Sequence, residues 1–294
     1  MTNILVTGAN GQLGQEIKAI AHHYDHQFIF KNKTALDITN NTDIDTLITS
    51  TPIDIIINCA AYTAVDKAES ESKNAHRINA IGTENLAKIC KKHAIKLIHI
   101  STDYVFDGTQ TTPYLETDRP CPNSVYGHSK HAGESKILTL NPDHSIIIRT
   151  AWLYSHYGKN FVKTIQKIAT QQNNINVVSD QMGCPTYAAD LAKVIIKIIP
   201  QLTHSGTKIY HYANEGQASW YEFAEEIITQ SQLNCTVTPI PTSDYPTAAT
   251  RPAYSVLDTT KIKTTFQLTI PHWGDSLKCY LHQSTKTKYN TPIR

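Results

Sequence analysis

Tyr126 and Lys130 stand four residues apart in Tyr126-Gly127-His128-Ser129-Lys130, a spacing that puts both on one face of a helix. None of the other tyrosines has a lysine or arginine at the fourth position after it. Upstream, an apolar run ends in Ser101-Thr102-Asp103. These residue types suit the reduction of a ketone by hydride. A hydride reaching the carbonyl carbon leaves an alkoxide, which needs a proton and hydrogen-bond donors. A free phenol, with a pKa of about 10, is a reluctant acid–base group at neutral pH. A nearby Lys130 ammonium would favour the phenolate and lower that pKa, and it could also bond a nicotinamide ribose. The Thr102 hydroxyl would donate to the same carbonyl, and Asn79 would link Lys130 to a proton-relaying water. The plainer alternative is a half-buried aromatic beside a surface lysine.

The hydride needs a carrier. Thr7-Gly8-Ala9-Asn10-Gly11-Gln12-Leu13-Gly14 follows an apolar run and opens an amphipathic segment. Its G-x-x-G-x-x-G spacing is a relative of the dinucleotide fingerprint. The first glycine allows the tight turn, the second lets backbone approach a pyrophosphate, and the third lets helix pack on strand. The helix N-terminus, with free N–H groups and partial positive charge, would hold the phosphates. Asn10, Gln12 and Leu13 belong to the same turn. At the next strand end, Phe30-Lys31-Asn32-Lys33 lacks the carboxylate that would grip an adenosine ribose diol. Lys31 could instead meet a 2′-phosphate, which points to NADPH and leaves NADH open. Asp37 and Ile38 are expected to flank the adenine. Asn58-Cys59-Ala60-Ala61-Tyr62-Thr63 should run beneath the dinucleotide, with Ala60, Ala61 and Thr63 in contact.

An ordered framework must bring these pieces together. Unbroken apolar runs at 4–6, 28–30, 53–57, 97–100 and 146–148 suit parallel strands covered on both faces. Helical patterns at 12–23, 43–49, 66–93 and 123–140 alternate with them. The order predicts an α/β fold, a Rossmann-type doubly wound parallel sheet with its ligands at the carboxyl edge. Residues 1–152 would form the NAD(P)-binding domain and 153–294 a smaller mixed α/β substrate lobe, the segment 186–214 packing back on the sheet. In that lobe the pattern predicts helices at 160–170, 187–199, 219–229 and 273–282, strands at 176–178 and 209–212, and a Pro-rich loop over 239–252.

The formal charge is +2, with no basic block, so neither nucleic acid nor a membrane surface is an expected partner. No apolar stretch approaches the roughly 20 residues that span a bilayer. Six scattered cysteines without a C-x-x-C pair suit reduced thiols in a cytoplasm.

Taken together, the glycine turn, the Ser-Thr-Asp strand end and Tyr-x-x-x-Lys resemble the extended short-chain dehydrogenase/reductases. Longer phrases narrow the resemblance to the dTDP-4-dehydrorhamnose reductases: Ala64-Val65-Asp66-Lys67-Ala68-Glu69, the stretch Ser101 to Gly108, Gly158 to Thr164, Asp180 to Thr186, Pro241 to Pro246, and Arg251-Pro252. The similarity runs in order from residue 1 to about 285. It implies reduction of dTDP-4-dehydro-β-L-rhamnose to dTDP-β-L-rhamnose with NADPH or NADH, and Thr102, Tyr126 and Lys130 as the catalytic trio. By the same resemblance Thr102, Asp103, Tyr126 and Trp152 hold the sugar. Arg251 is expected on the nucleotide's phosphates, a role that a bidentate guanidinium suits. Some members form magnesium-bridged dimers through glutamates. This chain keeps Glu16 but has Ala188-Ala189 in a later acidic region and no glutamate in its C-terminal tail. No Mg2+ is therefore expected, and the assembly is a monomer or homodimer. A dehydratase would need an Asp-Glu pair after the threonine, where Asp103-Tyr104 stands. A related epimerase remains open. So does a non-catalytic NADP-binding regulator, since the β subunit of methionine adenosyltransferase resembles the same family.

Overall fold

β-Branched residues, whose side chains pack well on a pleated surface, make the centre of the molecule. In the computed structural model, which describes residues 1–289 (side chains to 283), β1 (Thr2–Thr7), β2 (His26–Lys31), β3 (Ile55–Asn58), β4 (Lys96–Thr102) and β5 (Ser145–Thr150) pair in parallel. A sixth strand, Thr207–His211, extends the sheet beside β5. The spatial order is Thr207–His211, β5, β4, β3, β1, β2. The chain thus reverses direction of growth between β1 and β3, the switch point where open α/β sheets bind ligands. One face buries Ile4, Val6, Ile55, Ile57, Ile146 and Ile148 with helix Ala188–Ile198; the other buries Leu5, Ile56, Leu97 and Ile147 with helix Thr83–His93. Each such side chain contributes about 1.5–3 kcal/mol through its removal from water.

The helices start where side-chain oxygens can satisfy orphan N–H groups. Asn40 caps Asn41–Ser50, Ser124 caps Val125–Leu140 and Asn160 caps Phe161–Ala169. Ser219 and Glu222 form a reciprocal capping box on Trp220–Gln230. The expected single helix over 66–93 is instead broken. It runs as short turns Val65–Ala68 and Ser72–His76, a π-helical stretch Arg77–Gly82, then Thr83–His93. The Asn79 side chain is drawn inward there, as set out below.

In the C-terminal half, Asn174–Val178 pairs in parallel with Thr236–Ile240. The second of these strands was not among the expected elements, and its last two residues, Pro239 and Ile240, fall in the segment expected to be loop. Pro239 cannot donate to a ladder, but this two-stranded ribbon needs no donor on its outer edge. Helix Thr260–Phe266 also lay outside the expected elements, and the last helix, Trp273–Tyr289, runs longer than 273–282. A second core gathers Tyr154, Val162, Ile165, Tyr187, Phe223 and Tyr280. All six cysteines are free. Among the described residues no helix is long and apolar enough to cross a membrane.

Candidate active site

The turn after β1 is built for close approach. Gly8 has φ +64°, and a Cβ there would lie 2.5 Å from the Ala60 nitrogen, so any side chain is excluded. Gly11 caps helix Gln12–Ile20 without a side-chain bond, which leaves the first-turn N–H groups for an anion. Gly8, Asn10 and Gly11, with Asn32, Lys33, Leu36, Asp37, Ile38, Cys59, Ala60, Ala61 and Ile78, line a cavity of about 220 Å³ at the switch point. A glycine floor, a helix N-terminus and a slot between β1 and β3 suit a dinucleotide.

Several expected contacts are placed otherwise. The cavity is lined by Asn32 and Lys33, one and two residues beyond Lys31, the last residue of β2. Leu13 is buried in the core, so only its backbone faces the turn. The Gln12 amide bonds the Leu153 carbonyl and Asn160, tying the turn to the C-terminal half. Gly14 packs against Gly8 and Ala9, as a helix-packing glycine should. Thr63 is exposed and outside the lining. The Asp37 carboxylate accepts from the Thr39 N–H and hydroxyl. Those bonds and the Arg77 guanidinium 3.9 Å away overcome the effect of its partial burial and keep it below the usual carboxylate range.

The chemical groups sit at the carboxyl edge of the sheet. Thr102 ends β4, and Tyr126 and Lys130 lie on the first turns of helix Val125–Leu140. Gly127 lets this helix press against the Tyr104 carbonyl; a Cβ there would come within 2.2 Å of that oxygen. Tyr126 is 9% and Lys130 2% exposed. Tyr104 meets the Tyr126 ring edge-on at 5.5 Å and lines a second, larger cavity of about 670 Å³. Lys130, in turn, lies close enough to Cys59 of the first cavity for their charges to interact. The pair therefore stands between the two cavities.

The electrostatics differ from the expectation in one respect. Burial pushes the Tyr126 phenol up to about 12, the Thr102 hydroxyl holding it down in part and the Asp103 carboxylate adding to the rise. No lowering by Lys130 occurs: its Nζ donates to the Ile100 carbonyl at 2.6 Å and lies 3.4 Å from His99 Nε2, on the β4 side. Burial lowers Lys130 itself to about 8 against the pull of Glu134 and Cys59. The Asn79 side chain is engaged at both ends. Its Oδ1 accepts from the Tyr62 N–H, and its Nδ2 donates to the Tyr62 carbonyl and Ser129 Oγ. Asn79 thus clamps the loop after β3 to the catalytic helix and has no contact with Lys130 Nζ.

Next to Thr102, Asp103 is 2% exposed. Its Oδ1 accepts from the Thr102 hydroxyl at 3.0 Å, while Oδ2 has no hydrogen-bond partner among the described residues. Burial raises its carboxyl to about 6 despite the neighbouring Ser255 and Thr102 hydroxyls. A buried oxygen in this state is an acceptor waiting for a donor such as a sugar hydroxyl. Trp152 is held in the left-handed region (φ 46°), stacked on Trp220 at 3.4 Å and pressed against Gly183. Strain of this kind, typically about 1–3 kcal/mol, persists where surrounding packing enforces it.

Trp220, Phe161, Tyr245, Asn174, Asn176, Gln181 and Arg251 help line the larger cavity. Aromatic faces with a few amide groups suit a nucleoside base. Arg251 pairs bidentately with Asp66, at 3.0 and 2.8 Å, and Asp66 Oδ1 also accepts from the Ala249 N–H. Nothing in the spacing of the sequence marked Asp66 as this partner. The pair joins the helical turn Val65–Ala68 to the late loop that carries Ala249 and Arg251. If Arg251 recognises phosphate, Arg251→Ala should raise KM for the sugar nucleotide about 10- to 100-fold, the worth of a charge-assisted bond. KM for the dinucleotide should stay put; equal losses on both would refute the assignment.

A parallel sheet with this strand order, a glycine turn at its switch point and a buried Thr–Tyr–Lys set at its edge define a reductase of the short-chain dehydrogenase type. Residues 1–286 match the family model described as the RmlD substrate binding domain, and the chain belongs to that family. It is 42% identical over 288 residues to a dTDP-4-dehydrorhamnose reductase of Aggregatibacter actinomycetemcomitans, covering 95% of this chain and 98% of that one. It is 40% identical to the spore coat polysaccharide biosynthesis protein SpsK of Bacillus subtilis, over 96% and 98% of the two chains. The crystal structure of a dTDP-4-dehydrorhamnose reductase from Clostridium acetobutylicum superposes with a TM-score of 0.93 at 40% identity, covering 97% and 100%. One from Bacillus anthracis, in complex with NADP, gives 0.91 at 38% identity over the same shares.

Proposed function

We propose that this protein reduces the 4-keto group of dTDP-4-dehydro-β-L-rhamnose to give dTDP-β-L-rhamnose, with NADPH as reductant. The burial of Thr102, Tyr126 and Lys130 at the carboxyl edge, with Cys59 of the glycine-floored slot near Lys130 and Tyr104 of the larger cavity against Tyr126, carries the reading. The names of the relatives, and the NADP held by the Bacillus anthracis protein, support it. When bound, the dinucleotide supplies the hydride to C4 of the sugar. Thr102 donates a hydrogen bond to the carbonyl oxygen, and Tyr126 delivers the proton that turns it into a hydroxyl. Because burial keeps the phenol protonated far above neutral pH, Tyr126 enters the reaction as an acid. Its phenolate is then reprotonated from solvent, with Lys130 supplying the nearby positive charge. Asp103 and Trp152 orient the sugar ring, and Arg251 holds the diphosphate. Gly8, Asn10, Gly11, Ala60 and Ala61 bed the dinucleotide, while Lys33 serves the 2′-phosphate in the place first expected of Lys31.

The domain division at residue 152, with 186–214 returned to the sheet, is part of this reading, as is a cytoplasmic setting in which thiols stay reduced. The test is oxidation of NADPH or NADH with dTDP-4-dehydrorhamnose, followed in steady state by the loss of reduced-nicotinamide absorbance. NADPH should be preferred, and Lys33→Ala should raise KM for NADPH about tenfold while leaving KM for NADH unchanged. Absence of turnover with retained nucleotide binding would favour a regulatory subunit.

A further inference from the structure

Beneath the catalytic lysine runs a buried polar chain that the reaction as described does not use. Thr7 Oγ1 donates to Asn58 Oδ1 at 2.7 Å, and the Ala60 backbone N–H donates to the same oxygen at 3.1 Å. A backbone N–H can only donate, so it fixes which end of the Asn58 amide is oxygen. The Nδ2 end then faces His99 Nδ1 at 2.9 Å. An amide nitrogen can only donate as well, so Nδ1 is the acceptor and the neutral ring carries its proton on Nε2. That nitrogen lies 3.4 Å from Lys130 Nζ. His99 is fully buried, which holds its ring neutral, the Lys130 charge acting in the same sense.

We propose that His99 is a positioning residue for Lys130: locked by Asn58 as the Nε2–H tautomer, it meets the lysine with a donor. An ammonium has three donors and no acceptor. One of its N–H groups goes to the Ile100 carbonyl. With His99 offering no acceptor, the remaining donors turn toward Cys59 and the cofactor slot, where a ribose would take them. The opposed donors also disfavour the ammonium, so deprotonation of Lys130 sets the alkaline limit of turnover. The titratable groups that bear on Lys130 are His99 from β4, Cys59 from the end of β3 and Glu134 one turn along its own helix, the last committed to Arg149. Asn79 and Ser129, bonded to each other on the neighbouring face of the helix, are uncharged.

The inference rests on the reductase reading, but its first test does not need turnover. In the intact protein labelled with ¹⁵N-histidine, long-range ¹H–¹⁵N spectra assigned with His99→Gln should show His99 protonated on Nε2 and bare on Nδ1 at neutral pH. A ring protonated on Nδ1, or charged, overturns the proposal and leaves the reductase reading untouched. In Asn58→Asp a carboxylate would accept a hydrogen bond from Nδ1–H, so the neutral ring would leave Nε2 bare to accept from the ammonium. The alkaline limb of kcat should then rise by about one pH unit. A limb that stays in place overturns the proposal; loss of all activity in the unaltered protein would instead sink the reductase reading.

Discussion

Replacing Tyr126 by phenylalanine should lower kcat about 10²- to 10⁴-fold, the usual contribution of a positioned acid, while dinucleotide affinity stays within a few-fold. The phenol ring packs against Tyr104, and its loss of one oxygen leaves that contact intact. What disappears is the phenol proton placed beside Thr102. Burial pushes the phenol up to about 12, so it carries its proton at neutral pH and gives it up only to the stronger base, the alkoxide that hydride transfer leaves. The pH profile of the native enzyme should accordingly show no acid–base limb from Tyr126 near neutrality. The residual rate in the variant would come from Thr102, whose hydroxyl still polarises the carbonyl, and from proximity. Stopped-flow single turnovers with saturating dinucleotide separate this from slower product release. A variant rate within tenfold of the native one would show that another group protonates the sugar.

The framework of this site was legible because it obeys periodic rules. Five β-rich runs predicted β1 to β5 in order, and the sixth strand was also seen, though not its pairing with β5. Likewise the glycine turn and the Tyr126–Lys130 spacing located the chemistry, since both depend on local geometry that composition encodes directly. What remained hidden depends on side chains meeting across distant segments. Asn79 reads as a polar residue on a helix, yet it clamps Tyr62 and Ser129. Asp66 stands in a motif without any local sign that Arg251 lies 185 residues away in sequence and within 3.0 Å. That Asn32 and Lys33 line the first cavity and Lys31 does not has the same origin: the sequence shows a basic strand end, and only the fold shows that β2 stops at Lys31. The phenol's raised pKa, too, reflects burial, which a charge pattern does not reveal.

Burial of opposite charges gives the second large effect. Glu134, one turn beyond Lys130, receives Arg149 Nε at 3.0 Å and a terminal nitrogen at 2.7 Å, and both side chains are 1% exposed. Arg149 lies over the Phe106 ring and faces His211 Nε2, while His211 Nδ1 donates to the Tyr114 carbonyl. This cluster bolts the catalytic helix to β5. Burial opposes ionisation of Glu134, yet the Arg149 guanidinium and hydrogen bonds overcome it and hold the carboxyl far below its usual 4.5. Removing one partner of such a pair leaves the other buried and uncompensated, so Glu134→Gln should destabilise the fold by about 3–5 kcal/mol. The sign with pH follows from the lowered pKa. Its stabilisation is complete above about pH 4.5 and is lost as pH falls toward the folded value. His211 acts in the same direction at higher pH: burial, then the Arg149 charge, lowers it from 6.5 to about 3, so its share begins to fade below pH 6.5. Urea unfolding from about pH 8 down to about pH 3 should show two declines in the native protein, the first beginning below the ordinary histidine range and the second below the ordinary carboxylate range. In Glu134→Gln the lower decline should vanish and the upper one persist. Pairing Glu134→Leu with Arg149→Met should recover part of the lost stability, because an apolar pair leaves no buried charge behind. An unchanged urea midpoint in Glu134→Gln would mean that the catalytic helix is held by packing alone.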